Sequence, residues 1–150
     1  MAETLGSLCD KLTIVKLKEF HTDDRARLDS LAEQALQLAT EIDAFVASAI
    51  RGQIPLARLT FAANKVFKES GNEVAVITGT IGATCARLAE INCKLWHEQE
   101  HVYEFERVPA AQKDQVVKQL ALLNLQRNQC IDQIDAQLRS ALAARASPEP

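Results

Sequence analysis

LDSLAEQALQLATEIDAFVASA, residues 28–49, decides the fold class. Its apolar positions Leu28, Leu31, Ala35, Leu38, Ile42, Phe45 and Ala49 fall at spacings that alternate three and four. That is the spacing of one face of an α-helix, sustained long enough to be a heptad seam. A strand would need alternation at every second residue, and no such run is present. The stretch opens after Thr22, Asp23 and Asp24, which supply a cap and acids suited to a helix N-terminus. It closes at Arg51-Gly52, glycine being the commonest stop.

Working outward, Leu5, Leu8, Leu12 and Val15 predict a first helix over about 3–20. A third helix is predicted over about 80–106 from Ile81, Thr84, Leu88, Ile91, Leu95, Glu98, Val102 and Phe105, with Val108-Pro109 as its stop. A fourth runs over about 111–144 on Val117, Leu120, Asn124, Arg127, Ile131, Ile134, Leu138 and Ala141. The pattern predicts an all-α four-helix bundle over residues 3–145, with a disordered tail over 146–150. A long connection, about 53–79, separates helices two and three. Pro55 forbids a continued helix there, Ile54, Leu56, Leu59 and Phe61 can tuck against the bundle, Ala62–Lys68 allows a short helical turn, and Ser70-Gly71-Asn72 reads as a turn. A connection of that length is read either as a functional loop or as a crossover between helices that are not neighbours.

Composition narrows the function classes. The chain has 150 residues, 47% apolar and 25% charged, with a net charge of −3 and acids and bases interleaved. That gives no basic footprint for nucleic acid and no polybasic patch for a membrane surface. No apolar stretch approaches the roughly 20 residues of a membrane span. The start, MAETLGSL, lacks a basic stretch and an apolar run, so no secretory signal is expected and the cytoplasm is the expected compartment. The four cysteines, Cys9, Cys85, Cys93 and Cys130, form no CxxC pair and are expected to be free thiols acting as small core residues.

A repeat links helices one and three. Cys9, Leu12, Lys18, Phe20 and His21 align with Cys85, Leu88, Lys94, Trp96 and His97 at a constant offset of 76, with Lys11 and Val15 matched by Arg87 and Ile91. It predicts two related hairpins about a pseudo-twofold axis.

Polar residues on the seams are where chemistry is expected. Polar groups at core positions cost stability unless they pair. Glu98 and Arg127 are the expected pair, because a guanidinium holds a carboxylate bidentately. Asn124 completes the layer, and Asp10, Lys11 and Lys94 can join it. Such a layer fixes helix register, or it lines a ligand pocket. In the second case Arg127 and Lys94 clamp an anion such as a sugar phosphate or nucleotide-sugar, Asn92 and Asn124 orient it, and Glu98 or Asp10 handles protons.

His97-Glu-Gln-Glu-His101 matches the zinc motif H-E-x-x-H, with both histidines on one helix face. No third ligand follows at a suitable spacing, and only one E-x-x-H unit occurs where carboxylate-bridged bundle sites use two. His21 is the one further histidine. Metal binding through His97 and His101 is therefore disfavoured, and no cofactor is expected. Thr78-Gly-Thr-Ile-Gly82 opens helix three and reads as a capping segment in preference to an anion site.

Three stretches carry a resemblance: Leu8-Cys-Asp-Lys-Leu-Thr-Ile14, Glu90-Ile-Asn-Cys-Lys-Leu-Trp-His-Glu-Gln-Glu100, and Leu123-Asn-Leu-Gln-Arg-Asn-Gln-Cys-Ile-Asp-Gln-Ile-Asp135. The chain resembles a family of uncharacterised bacterial helical proteins with the pattern D-K-L-[ST]-I, N-x-x-L-W-x-x-E and N-x-x-R-N-x-x-I-x-x-I-D. The resemblance spans about residues 5–138. It points to Asp10, Lys11, Asn92, Trp96, Glu98 or its neighbour in the Glu-Gln-Glu run, Asn124, Arg127 and Asn128. His101 is outside the pattern. Some such proteins are encoded near glycosyltransferases and cell-envelope polysaccharide genes, which implies a link to that chemistry without a mechanism. The function expected is a non-enzymatic interaction or accessory protein, with the exposed seam of helix two suited to a homodimer or a protein partner. A small helical enzyme or anion binder is the alternative.

Overall fold

A computed structural model describes residues 3–61 and 79–146 of the chain. The helical turn at 62–68, the turn at 70–72, the Thr78 cap and the tail at 147–150 lie outside the described residues. Four helices form the architecture: α1 (Leu5–Phe20), α2 (Arg25–Ile50), α3 (Ile81–Tyr103) and α4 (Ala110–Ala146). No strand occurs among the described residues.

Local chemistry sets the helix ends. Thr4 caps α1 in a box with Ser7, each side chain taking the other's backbone N–H. Asp24 caps α2 by accepting from the Arg27 N–H at 2.9 Å, and Thr80 caps α3 by accepting from the Ala83 N–H. Gly52 ends α2 with φ +72°, where a side chain would be strained. Helix α3 stops at Tyr103, short of the expected Glu106, because the chain tightens into a 3-10 turn over Phe105–Arg107.

The core is built by the faces that the seams identify. Leu5, Leu88, Ile91, Leu95, Leu123, Ile131, Ile134 and Leu138 are buried in one cluster, and Ile134 is fully enclosed. Each contributes roughly 1.5–3 kcal/mol by leaving water. Leu59 folds back from the α2–α3 connection and is also buried, with Ile54 packed beside it, while Leu56 and Phe61 stay exposed. The far ends of the α4 seam, Val117 and Ala141, are exposed as well, since α4 outruns its partners. Cys130 is buried and Cys9 and Cys85 are half-buried, all free, but Cys93 is exposed, on the outward face of α3. No described helix is long and apolar enough to cross a membrane.

The packing order positions the site. α3 and α4 form one hairpin and α1 and α2 the other. α1 also packs on α3 and α4, whereas α2 has no substantial packing on α3. α1 and α3 run parallel, in the register of the sequence repeat. Their N-caps are the equivalents Thr4 and Thr80, the Cys9 and Cys85 thiols interact, and the rings of His21 and His97 lie 6.3 Å apart. That interaction lowers the Cys85 pKa and raises that of Cys9.

Candidate functional site

Asp10, Asn92 and Arg127 meet where α1, α3 and α4 converge. The Asp10 carboxylate is buried. It accepts from Arg127 Nε at 2.8 Å and Nη2 at 2.5 Å, one donor to each oxygen, and from Asn92 Nδ2 at 2.9 Å. The guanidinium fork and the planar carboxylate match bidentately. The contact with Asp10 raises the Arg127 pKa against the opposing effect of burial. Three donors on one buried carboxylate leave it paired and hydrogen-bonded, the condition under which a buried charge is tolerated.

This corrects the expected partnership. Arg127 pairs with Asp10 and not with Glu98. Glu98 is half-buried and lines a different groove, about 710 Å³, in the crotch between the end of α3 and the start of α4, together with His101 and Gln119. Asn124 stands outside the cluster too, its amide donating to the Leu120 carbonyl one turn back on α4. Lys11 is exposed and reaches Glu3 at 2.5 Å, and Lys94 is exposed and reaches Glu90 at 2.7 Å. Asn128 is half-buried and makes no side-chain hydrogen bond among the described residues. The expected anion clamp of Arg127 with Lys94 is therefore not assembled. Each cation is held by an acid of this chain.

The two histidines of the H-E-x-x-H segment do not find a metal set. His97 stands 3.6 Å from Glu100 and near His21, while His101 lines the Glu98 groove. Among the described residues no group of three His, Cys, Asp or Glu side chains is placed to hold a metal ion. His21 instead stacks on Trp96, ring centroids 4.6 Å apart, and the Trp96 indole N–H donates to Glu100 at 3.0 Å.

A second polar contact escaped the sequence reading. Asp135 on α4 is buried and its Oδ1 accepts from the Gly6 N–H at 2.7 Å. It thereby serves one of the unpaired donors in the first turn of α1, as an N-cap does, from another helix. Burial pushes its pKa up to about 6, against the opposing bonds from Gly6 and Thr4. A carboxyl raised from 3.8 binds its proton more tightly folded than unfolded. Its charge therefore weighs against the fold above about pH 6, and stability recovers as pH falls from about 6 toward 3.8. Asp135→Asn keeps an acceptor for Gly6 without the charge. It is expected to raise stability at pH 8 by roughly 1–2 kcal/mol and to flatten this pH dependence, measured by urea unfolding between pH 4 and 8.

The Arg127 side chain, 30% exposed, edges a groove of about 450 Å³. Ile14, Leu17, Leu95, Trp96 and Tyr103 supply its apolar wall, and Lys18, Gln99 and Asn124 its polar one. The sequence motif pointed to Trp96, but Lys18 entered only as a member of the repeat. Comparison of the chain with protein-family models, with curated proteins and with solved structures finds no match in any of the three.

Proposed function

We propose that this chain is a non-enzymatic helical interaction module, an accessory protein that works by recognising another macromolecule. One observation carries the reading. The acid and the cation that a catalyst or an anion binder would need, Asp10 and Arg127, are locked to each other and to Asn92. A general acid or base must have a proton to exchange with a substrate, and this carboxylate accepts three hydrogen bonds that tie three helices together. Exposed large apolar side chains support the same reading: Phe20 and Tyr103, each about 85% exposed, and Leu36 at 71%. Exposed apolar groups of that size are the raw material of interaction surfaces. A role beside cell-envelope polysaccharide synthesis is a proposal that rests on the motif resemblance.

A second reading is kept for the 450 Å³ groove beside Arg127, which is large enough for an anionic metabolite. Titration calorimetry of the full chain with glucose 1-phosphate and with a uridine diphosphate sugar separates the two. The interaction reading expects no saturable heat from either. Micromolar binding that Arg127→Met abolishes, with the fold intact by circular dichroism, would replace it with the metabolite reading.

A further inference from the structure

The outward face of α1 is left open. Lys11, Ile14 and Lys18 form one stripe on that helix, at spacings of three and four, with the buried Val15 beside it. α2 flanks the stripe on one side and α3 on the other, without packing on each other to close over it. The result is a trough with α1 as its floor. Three grooves of about 330, 450 and 480 Å³ run into one another there, and Lys18 borders all three. Leu31, Gln34 and Leu38 form the α2 wall, and Leu95, Trp96 and Tyr103 the opposite one. The α2 wall extends from Arg27 to Glu41, about 21 Å or four turns of helix.

Charge selects the occupant. The chain is acidic overall, yet Lys18 at the centre of the trough and Arg27 on its wall are exposed cations with no ion pair among the described residues. The other charges nearby are answered: Lys11 by Glu3, and Arg127 by Asp10. Glu100 and Glu41, hydrogen-bonded by Trp96 and Gln37, keep their charge but line the other two grooves; among the described residues the 480 Å³ groove is lined by Lys18 and Arg27 and by no acid. A trough with apolar side chains on both walls, one unanswered cation at its centre and another at one end, is suited to an amphipathic helix that lays an apolar stripe into the groove and sets acidic residues against them.

We infer that this trough is the docking site for an acidic amphipathic helix of a partner protein, seated along α1 with its carboxylates facing Lys18 and Arg27. The inference rests on the interaction reading above and specifies where the contact is made and with what chemistry.

Trp96 is the chain's only tryptophan and lines two of the three grooves, so its fluorescence reports occupancy. The probe is a four-turn helical peptide with leucines on one stripe and glutamates flanking it, compared with a second peptide in which every glutamate is lysine. The full chain is expected to give a saturable Trp96 response to the acidic peptide and to bind it about tenfold or more tighter than the basic one. Lys18→Glu, a surface change that leaves the core untouched, is expected to reverse that order. Arg139→Glu, the same change of charge on the exposed side of α4, is expected to leave it alone. Equal responses to the two peptides, no response to either, or an unchanged order in Lys18→Glu would overturn the inference. A Trp96 shift on raising the concentration of the chain alone, with light scattering showing dimers, would also overturn it by making a second copy the occupant, while the interaction reading stands. Binding of the uridine diphosphate sugar in place of either peptide would remove both.

Discussion

Asp10→Ala is expected to destabilise the chain by about 3–5 kcal/mol, the cost of stranding a buried charge. Removing the carboxylate leaves the half-buried Arg127 guanidinium without a counter-charge and the Asn92 amide without its acceptor. Asn92 is buried, and Arg127 reaches water only along the groove that it edges. A small domain is worth about 5–15 kcal/mol in all, so this one change removes a large share of its stability. Asp10→Asn is expected to cost less, because it keeps one acceptor oxygen while giving up the charge assistance of the fork. Chemical denaturation monitored by far-ultraviolet circular dichroism checks the order, Asp10→Ala below Asp10→Asn below the parent chain.

Gly6→Ala is expected to destabilise by about 3 kcal/mol, against the usual rule that alanine improves a helix. A Cβ on Gly6 would lie 2.3 Å from the Ile131 carbonyl oxygen and 2.9 Å from its carbonyl carbon. Both atoms belong to the backbone of α4, which cannot rotate away as a side chain can. α1 and α4 would have to move apart, and the Gly6 N–H would then lose Asp135. The equivalent position in the repeat gives the control. Gly82 opens α3 as Gly6 opens α1, yet among the described residues nothing lies within 4 Å of a Cβ built there. Gly82→Ala is therefore expected to stabilise, by up to about 1 kcal/mol. Thermal unfolding of the two variants should shift the midpoint in opposite directions.

The helices were legible in the sequence because amphipathic spacing is a local property. The seam over residues 28–49 became α2 within a few residues at either end, and Thr80, Asp24 and Gly52 cap or stop their helices as their chemistry demands. The polar residues were legible one by one, since Asn92, Arg127 and Asp10 all stood out. Their pairing was not. A seam says which face a residue occupies and not which residue of another helix lies level with it. Gln137 meets Gly79 and Gln119 shares a groove with Glu98, so the level of Arg127 on α3 falls near Asn92. That is six residues before Glu98, about 9 Å along the helix. Asp10 completes the cluster only because α1 packs across the α3–α4 hairpin, a tertiary fact without a local signal. Asp135 was hidden for the same reason: its partner is the N-terminus of α1, 129 residues away. The repeat did hold a tertiary message, for residues 76 apart stand side by side on parallel helices.

The account depends most on the claim that Asp10 and Arg127 hold the helices together and are not a free pair awaiting a ligand. A double-mutant cycle tests it: Asp10→Leu, Arg127→Met and the two combined, each unfolded in urea at pH 7. The account expects each single change to lose about 3 kcal/mol or more and the double change to lose far less than their sum, because no buried charge is then left alone. Losses that simply add, or an Arg127→Met chain as stable as the parent, would contradict it.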